Sequence, residues 1–74
     1  MEHLKYLLIL EHAQGSNYSA YVPDLPGCVA TGPSLEKAQK LIQEAIEMHI
    51  ESFKLHGEPV PKPATRIEYV SGPA

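Results

Sequence analysis

One cysteine, one phenylalanine, one arginine, one aspartate and no tryptophan are spread over 74 residues. With Cys28 alone no disulfide can form within the monomer, and a free thiol suits a reducing compartment. Six basic residues are scattered among nine acidic ones, a net charge of −3, which leaves no electrostatic footprint for nucleic acid. A mildly acidic surface suits a basic protein partner better. The longest uncharged apolar run, Leu7-Leu8-Ile9-Leu10, falls far short of the roughly 18 residues of a membrane span. Met1-Glu2-His3 offers no basic lead-in to a secretory signal, so the expected location is cytoplasmic. Hydrophobic residues make up 43% of the chain and charged ones 20%, which fits one folded domain over 1–74, with an ordered core over 4–70 and a tail over 71–74. A core of this size supplies about 3–5 kcal/mol of net stability. With disulfides excluded, oligomerisation is the expected staple.

Residues 4–11 alternate as a strand. Leu4, Tyr6, Leu8 and Leu10 fall on one face, with Leu7 and Ile9 on the other. The turn-forming stretch Gln14-Gly15-Ser16-Asn17 leads to a second strand over 18–22, completing a hairpin. In Pro23-Asp24-Leu25-Pro26-Gly27, proline and glycine at 26–27 suit the two central positions of a type II turn. A short third strand over 28–31 ends at Gly32-Pro33. Ser34 is a good N-cap for a long helix, in which Leu35, Ala38, Ile42, Ala45, Ile46, His49 and Phe53 form one stripe. Gly57 should close it. Proline at 59, 61 and 63 makes a stiff extended connector, followed by a last β-like run over 65–70. The element order is βββαβ, an α+β domain in two layers. One helix can cover only one face of such a sheet. The uncovered face, with Leu7, Ile9 and Tyr21, is the candidate interface for a second copy or another partner.

Catalytic and metal-binding patterns do not assemble. His3, His12, His49 and His56 form no HxH or HxxxH pair, and there is no CxxC. His49 and His56 lie two helical turns, roughly 10.5 Å, apart. His49, near the middle of the apolar stripe, reads as a hydrogen-bonded structural imidazole, and Cys28 as a buried thiol. Asp24 in its proline-bracketed loop reads as a turn former. A minimal metal-dependent hydrolase would need Asp24 joined by Glu11 or Glu68, the weakest of the readings. No cofactor is expected.

The segments Tyr18-Ser19-Ala20-Tyr21-Val22-Pro23-Asp24-Leu25-Pro26-Gly27-Cys28 and Thr31-Gly32-Pro33-Ser34-Leu35-Glu36-Lys37-Ala38 carry a recognisable pattern. With Glu44-Ala45-Ile46 and Gly57-Glu58-Pro59-Val60-Pro61-Lys62-Pro63, the chain resembles the HicB-like family, the antitoxins of HicAB toxin–antitoxin pairs. The resemblance implies a partial ribonuclease-H-like fold: a three-stranded antiparallel sheet, a helix and a fourth strand. It also implies a non-catalytic partner for a small basic HicA-like toxin, an mRNA interferase. Pro23, Asp24, Leu25, Pro26, Gly27 and Gly32 match the motif, and the backbone angles of the turn suffice to explain them. Many members append a DNA-binding domain, and none is expected within these 74 residues. The sequence therefore points to an antitoxin-like, self-associating binding module (dimer or tetramer). The alternative is an orphan oligomeric domain of the same fold with another partner or ligand.

Overall fold

A computed structural model describes residues 4–12, 15 and 17–74. Three strands, β1 (Ile9–His12), β2 (Tyr18–Tyr21) and β3 (Val29–Gly32), precede one helix, α1 (Leu35–Leu55). The sheet has the order β1-β2-β3, and both pairings are antiparallel. Of the hairpin turn expected over 14–17, Gly15 has φ +70, while Gln14 and Ser16 lie outside the described residues, as does His3.

Register divides the side chains into two faces. Leu10, Ala20 and Ala30 are cross-strand neighbours and face the helix; Ile9, Tyr21 and Val29 are neighbours on the outer face. The core between sheet and helix is Ala20, Val22, Leu25, Cys28, Ala38 and Ile42, with Tyr6, Leu8, Leu10, Ala45, Ile46 and Phe53 packed around it. Cys28 is buried, as expected, and burial pushes its thiol pKa up, away from the reactive thiolate. The helical stripe is anchored at Ala38 and Ile42, whereas Leu35, on the first turn, is exposed.

Both helix ends follow from local chemistry. The Ser34 Oγ accepts the Lys37 N–H at 3.2 Å, satisfying one of the donors that the first turn leaves free. At the other end Gly57 takes φ +67 and donates its N–H to Lys54 C=O, while the Glu58 N–H reaches Phe53 C=O. That pair of bonds is a Schellman closure, which favours glycine at the left-handed position. Gly32 meets a different demand. A Cβ there would lie 2.8 Å from the Ala38 backbone nitrogen, so β3 and the helix approach at a distance only glycine allows.

The paired strands are shorter than the alternation of 4–11 and 18–22 suggests. After Tyr21 the chain turns at Pro23, so residues 4–8 run past the ladder with no strand opposite them. The run over 65–70, expected as a fourth strand, carries no strand pairing in this structure. Ile67, Tyr69 and Val70 are 66%, 93% and 83% exposed. The molecule is accordingly elongated, with a longest dimension of 47 Å and a radius of gyration of 14.3 Å. A compact chain of this length would have a radius of about 11 Å.

Candidate binding surfaces

The PDLPG motif builds two consecutive turns. Leu25 N–H donates to Val22 C=O at 3.1 Å and Cys28 N–H to Leu25 C=O at 3.0 Å, each the bond that closes a four-residue turn. Pro23 and Pro26 occupy the first central position of their respective turns, where a fixed φ near −65° fits. Gly27, at φ +81, takes the second central position of the other, as a type II turn requires. Val22 N–H to Cys28 C=O closes the loop across its base. Leu25, shared by both turns, points inward and is completely buried. These bonds and the positive φ of Gly27 set the course of the corner. His49 lies over this corner: its Nδ1–H donates to Ala45 C=O at 3.0 Å, and its Nε2 would be 3.9 Å from a Cβ on Gly27.

Asp24 does more than form a turn. Its carboxylate accepts the Ala64 N–H at 3.1 Å, the Thr65 N–H at 3.0 Å and the Thr65 hydroxyl at 2.7 Å. Beside it the Tyr6 hydroxyl donates to Pro61 C=O. The two contacts fasten the connector to the body and fix where residues 65–70 depart. The Thr65 hydroxyl and then the backbone N–H groups of Thr65 and Ala64 hold the Asp24 carboxyl below its ordinary value, against a smaller opposing effect of desolvation. The phenol of Tyr6 is pushed up, chiefly by burial and then by the nearby Asp24 charge. Because the folded carboxyl has the lower pKa, the clamp contributes fully above the unfolded value and is lost as pH falls through the folded one. We expect the Ala64 and Thr65 amide resonances to titrate together at a midpoint below 3.8, the ordinary value. In Asp24→Asn that transition should vanish. A midpoint at or above 3.8 would show that the carboxylate does not hold these amides.

The uncovered outer face carries Ile9, Tyr21 and Val29 in register, with Leu7 just beyond the ladder. Leu7, Ile9 and Tyr21 are half-buried, and Val29 is 66% exposed. The structure brings Ile9 and Tyr21 together and adds Val29, which sequence reasoning missed although its odd–even position relative to Cys28 would have placed it there. Desolvation, followed by the Glu11 charge and a hydrogen bond to Glu11, raises the Tyr21 phenol.

A second surface opens on the helix side. At about 1.5 Å per residue the 21-residue helix runs roughly 31 Å, whereas a four-residue strand covers only about 13 Å. The C-terminal half of α1 therefore overhangs the ladder. Beneath it lies an open groove of about 920 Å³, whose apolar lining includes Leu4, Tyr6, Leu8, Ile46, Ile50 and Val60.

Among the described residues no group of three or more His, Cys, Asp or Glu side chains is placed to hold a metal ion, and no helix is long and apolar enough to cross a membrane. The carboxylate that a hydrolase would need from Asp24 has both oxygens engaged by the Ala64–Thr65 segment.

A family model described as the HicB-like antitoxin of a bacterial toxin–antitoxin system matches residues 6–73. The chain is 39% identical over 59 residues to a UPF0150 protein of Thermoplasma acidophilum, covering 80% of this chain and 86% of that one. It is 42% identical over 57 residues to a UPF0150 protein of Synechocystis, covering 77% and 72%. An uncharacterized 14.9 kDa protein of Haemophilus phage HP1 is 38% identical over 56 residues, 76% of this chain and 42% of the phage protein.

Proposed function

Since the chain belongs to the HicB-like antitoxin family of bacterial toxin–antitoxin systems, we propose that it is the neutralising half of such a pair, a non-catalytic module that self-associates and sequesters a small basic HicA-like toxin in the cytoplasm. The observation that carries this reading is the family match over residues 6–73. Its motif residues form the double turn at 22–28 and the close approach at Gly32. The outer face supports it as well: Ile9, Tyr21 and Val29 form an apolar strip that no element among the described residues covers, the kind of surface that marks a protein interface. The net charge of −3 favours encounter with a basic partner. The same reading includes a partial ribonuclease-H-like architecture in which residues 65–70 become the fourth strand when a partner strand is supplied.

The test is a search beside the gene for a reading frame encoding a small basic protein, followed by co-expression with it. Induction of that protein alone is expected to arrest growth, with co-expression restoring growth and the two purifying as one complex. Absence of binding and rescue would transfer the weight to an orphan oligomeric domain with a different partner.

A further inference from the structure

We infer that residues 65–70 form an exchange arm, which leaves its own body at the Asp24 clamp and adds as a strand to the β1 side of a second copy, laying Ile67 and Tyr69 into that copy's groove. The inference deepens the self-association within the reading above and does not depend on the toxin. Two observations meet in it. The arm alternates Arg66, Ile67, Glu68, Tyr69 and Val70 as a strand with one apolar side would, yet its large side chains lie in solvent. Residues 4–8 present backbone with no strand opposite, and their inward side chains Leu4, Tyr6 and Leu8 line an open apolar groove. Each feature supplies what the other lacks, and an unpaired edge is a template for strand addition.

The occupant is a second copy for three reasons. A two-fold arrangement satisfies both arms and both edges at once, which is the closed, self-complementary solution of a C2 dimer. The lengths match, six arm residues against an unpaired run of five. Charge agrees as well: the groove rim carries Lys54 and Lys62 against Glu47, which disfavours a basic toxin but accepts an arm holding Glu68 beside Arg66. Two large side chains per arm, Ile67 and Tyr69, on the order of 150 Å² each, give about 600 Å² over two arms, and a similar area from the facing groove walls brings the total to about 1,200 Å², the lower end of a stable interface. The helix-facing side of β3 offers no such groove at Gly32, which is closed against the helix. The Asp24 and Tyr6 contacts hold the root of the arm. The clamp fixes the point from which residues 66–70 leave, and from there Ile67, Tyr69 and Val70 extend into solvent instead of onto the arm's own body.

The test combines light scattering with isotope-filtered NMR on an equimolar mixture of labelled and unlabelled full-length protein. Wild type is expected to have at least twice the chain mass, with cross-copy contacts from Ile67 and Tyr69 to Leu8 and Ile46. The double variant Ile67→Glu/Tyr69→Glu, altered only at exposed positions, should be monomeric with unchanged helix content. Four results would overturn the exchange. The first is a double variant of wild-type mass, which leaves self-association standing through another surface. The second is the same contacts found only within one copy. The third is a double variant of unchanged mass that no longer binds toxin, which would assign the arm to the toxin instead. A monomeric wild type would remove self-association altogether, without touching the toxin reading.

Discussion

Replacing Leu25 by alanine is expected to lower the stability of the protein by about 2–5 kcal/mol, the range for a buried leucine truncated in a packed core. Leu25 has no exposed surface and packs in one cluster with Val22, Cys28 and Ile42. It also belongs to both turns of the 22–28 loop, so its side chain anchors the corner from inside at the point the two turns share. Net stability at this size is about 3–5 kcal/mol, so the loss consumes most or all of it. Urea unfolding followed by circular dichroism should find Leu25→Ala largely unfolded at room temperature, or with its midpoint near zero denaturant. Leu25→Met, close in volume, should lose less than about 1.5 kcal/mol. If Leu25→Ala lost under about 1 kcal/mol, the loop would be held by its turn bonds alone, and its buried leucine would be incidental.

The residues that were legible in the sequence are those whose role is local. Ser34 caps a helix through a bond to a backbone group three residues away, and Gly57 ends it with bonds that span one turn. Pro26-Gly27 specifies a turn from its own two φ angles. The features that were not legible depend on partners far along the chain. Asp24 reads as a turn former until Ala64 and Thr65, some 40 residues away, are brought to its carboxylate. One cue was present: Pro63 is the last of three alternating prolines, so Ala64 and Thr65 are the first adjacent N–H donors after the connector. The alternation of 4–11 and of 65–70 reads as β-like, yet of these residues only those from Ile9 onward pair as a strand. Periodicity describes which side chains share a face, however, and cannot supply the opposite strand. Residues 4–8 lose theirs because the chain turns at Pro23 after β2, and residues 65–70 have none among the described residues.

Val29→Glu is expected to weaken toxin binding by at least 100-fold and to abolish growth rescue, while leaving the mass and the unfolding midpoint close to those of wild type. Val29 is two-thirds exposed at the sheet edge, so a glutamate there meets water in the free protein and costs little. Under a docked partner the same carboxylate would sit unpaired beside Tyr21, its neighbour across the sheet. Desolvating an unpaired charge costs several kcal/mol, and about 3 kcal/mol already corresponds to 100-fold in affinity. The variant also separates the two associations proposed above. The outer face and the groove lie on opposite sides of the same strands, so an antitoxin that pairs through its arm keeps the Ile9–Tyr21–Val29 strip free for the toxin. Val29→Glu should therefore give a dimer that does not neutralise. Ile67→Glu/Tyr69→Glu should give a monomer that still binds one toxin, through isothermal titration at unit stoichiometry. If Val29→Glu bound toxin with wild-type affinity, the outer face would not be the toxin's docking surface. The strip, which no element among the described residues covers, would then be assigned to a different contact.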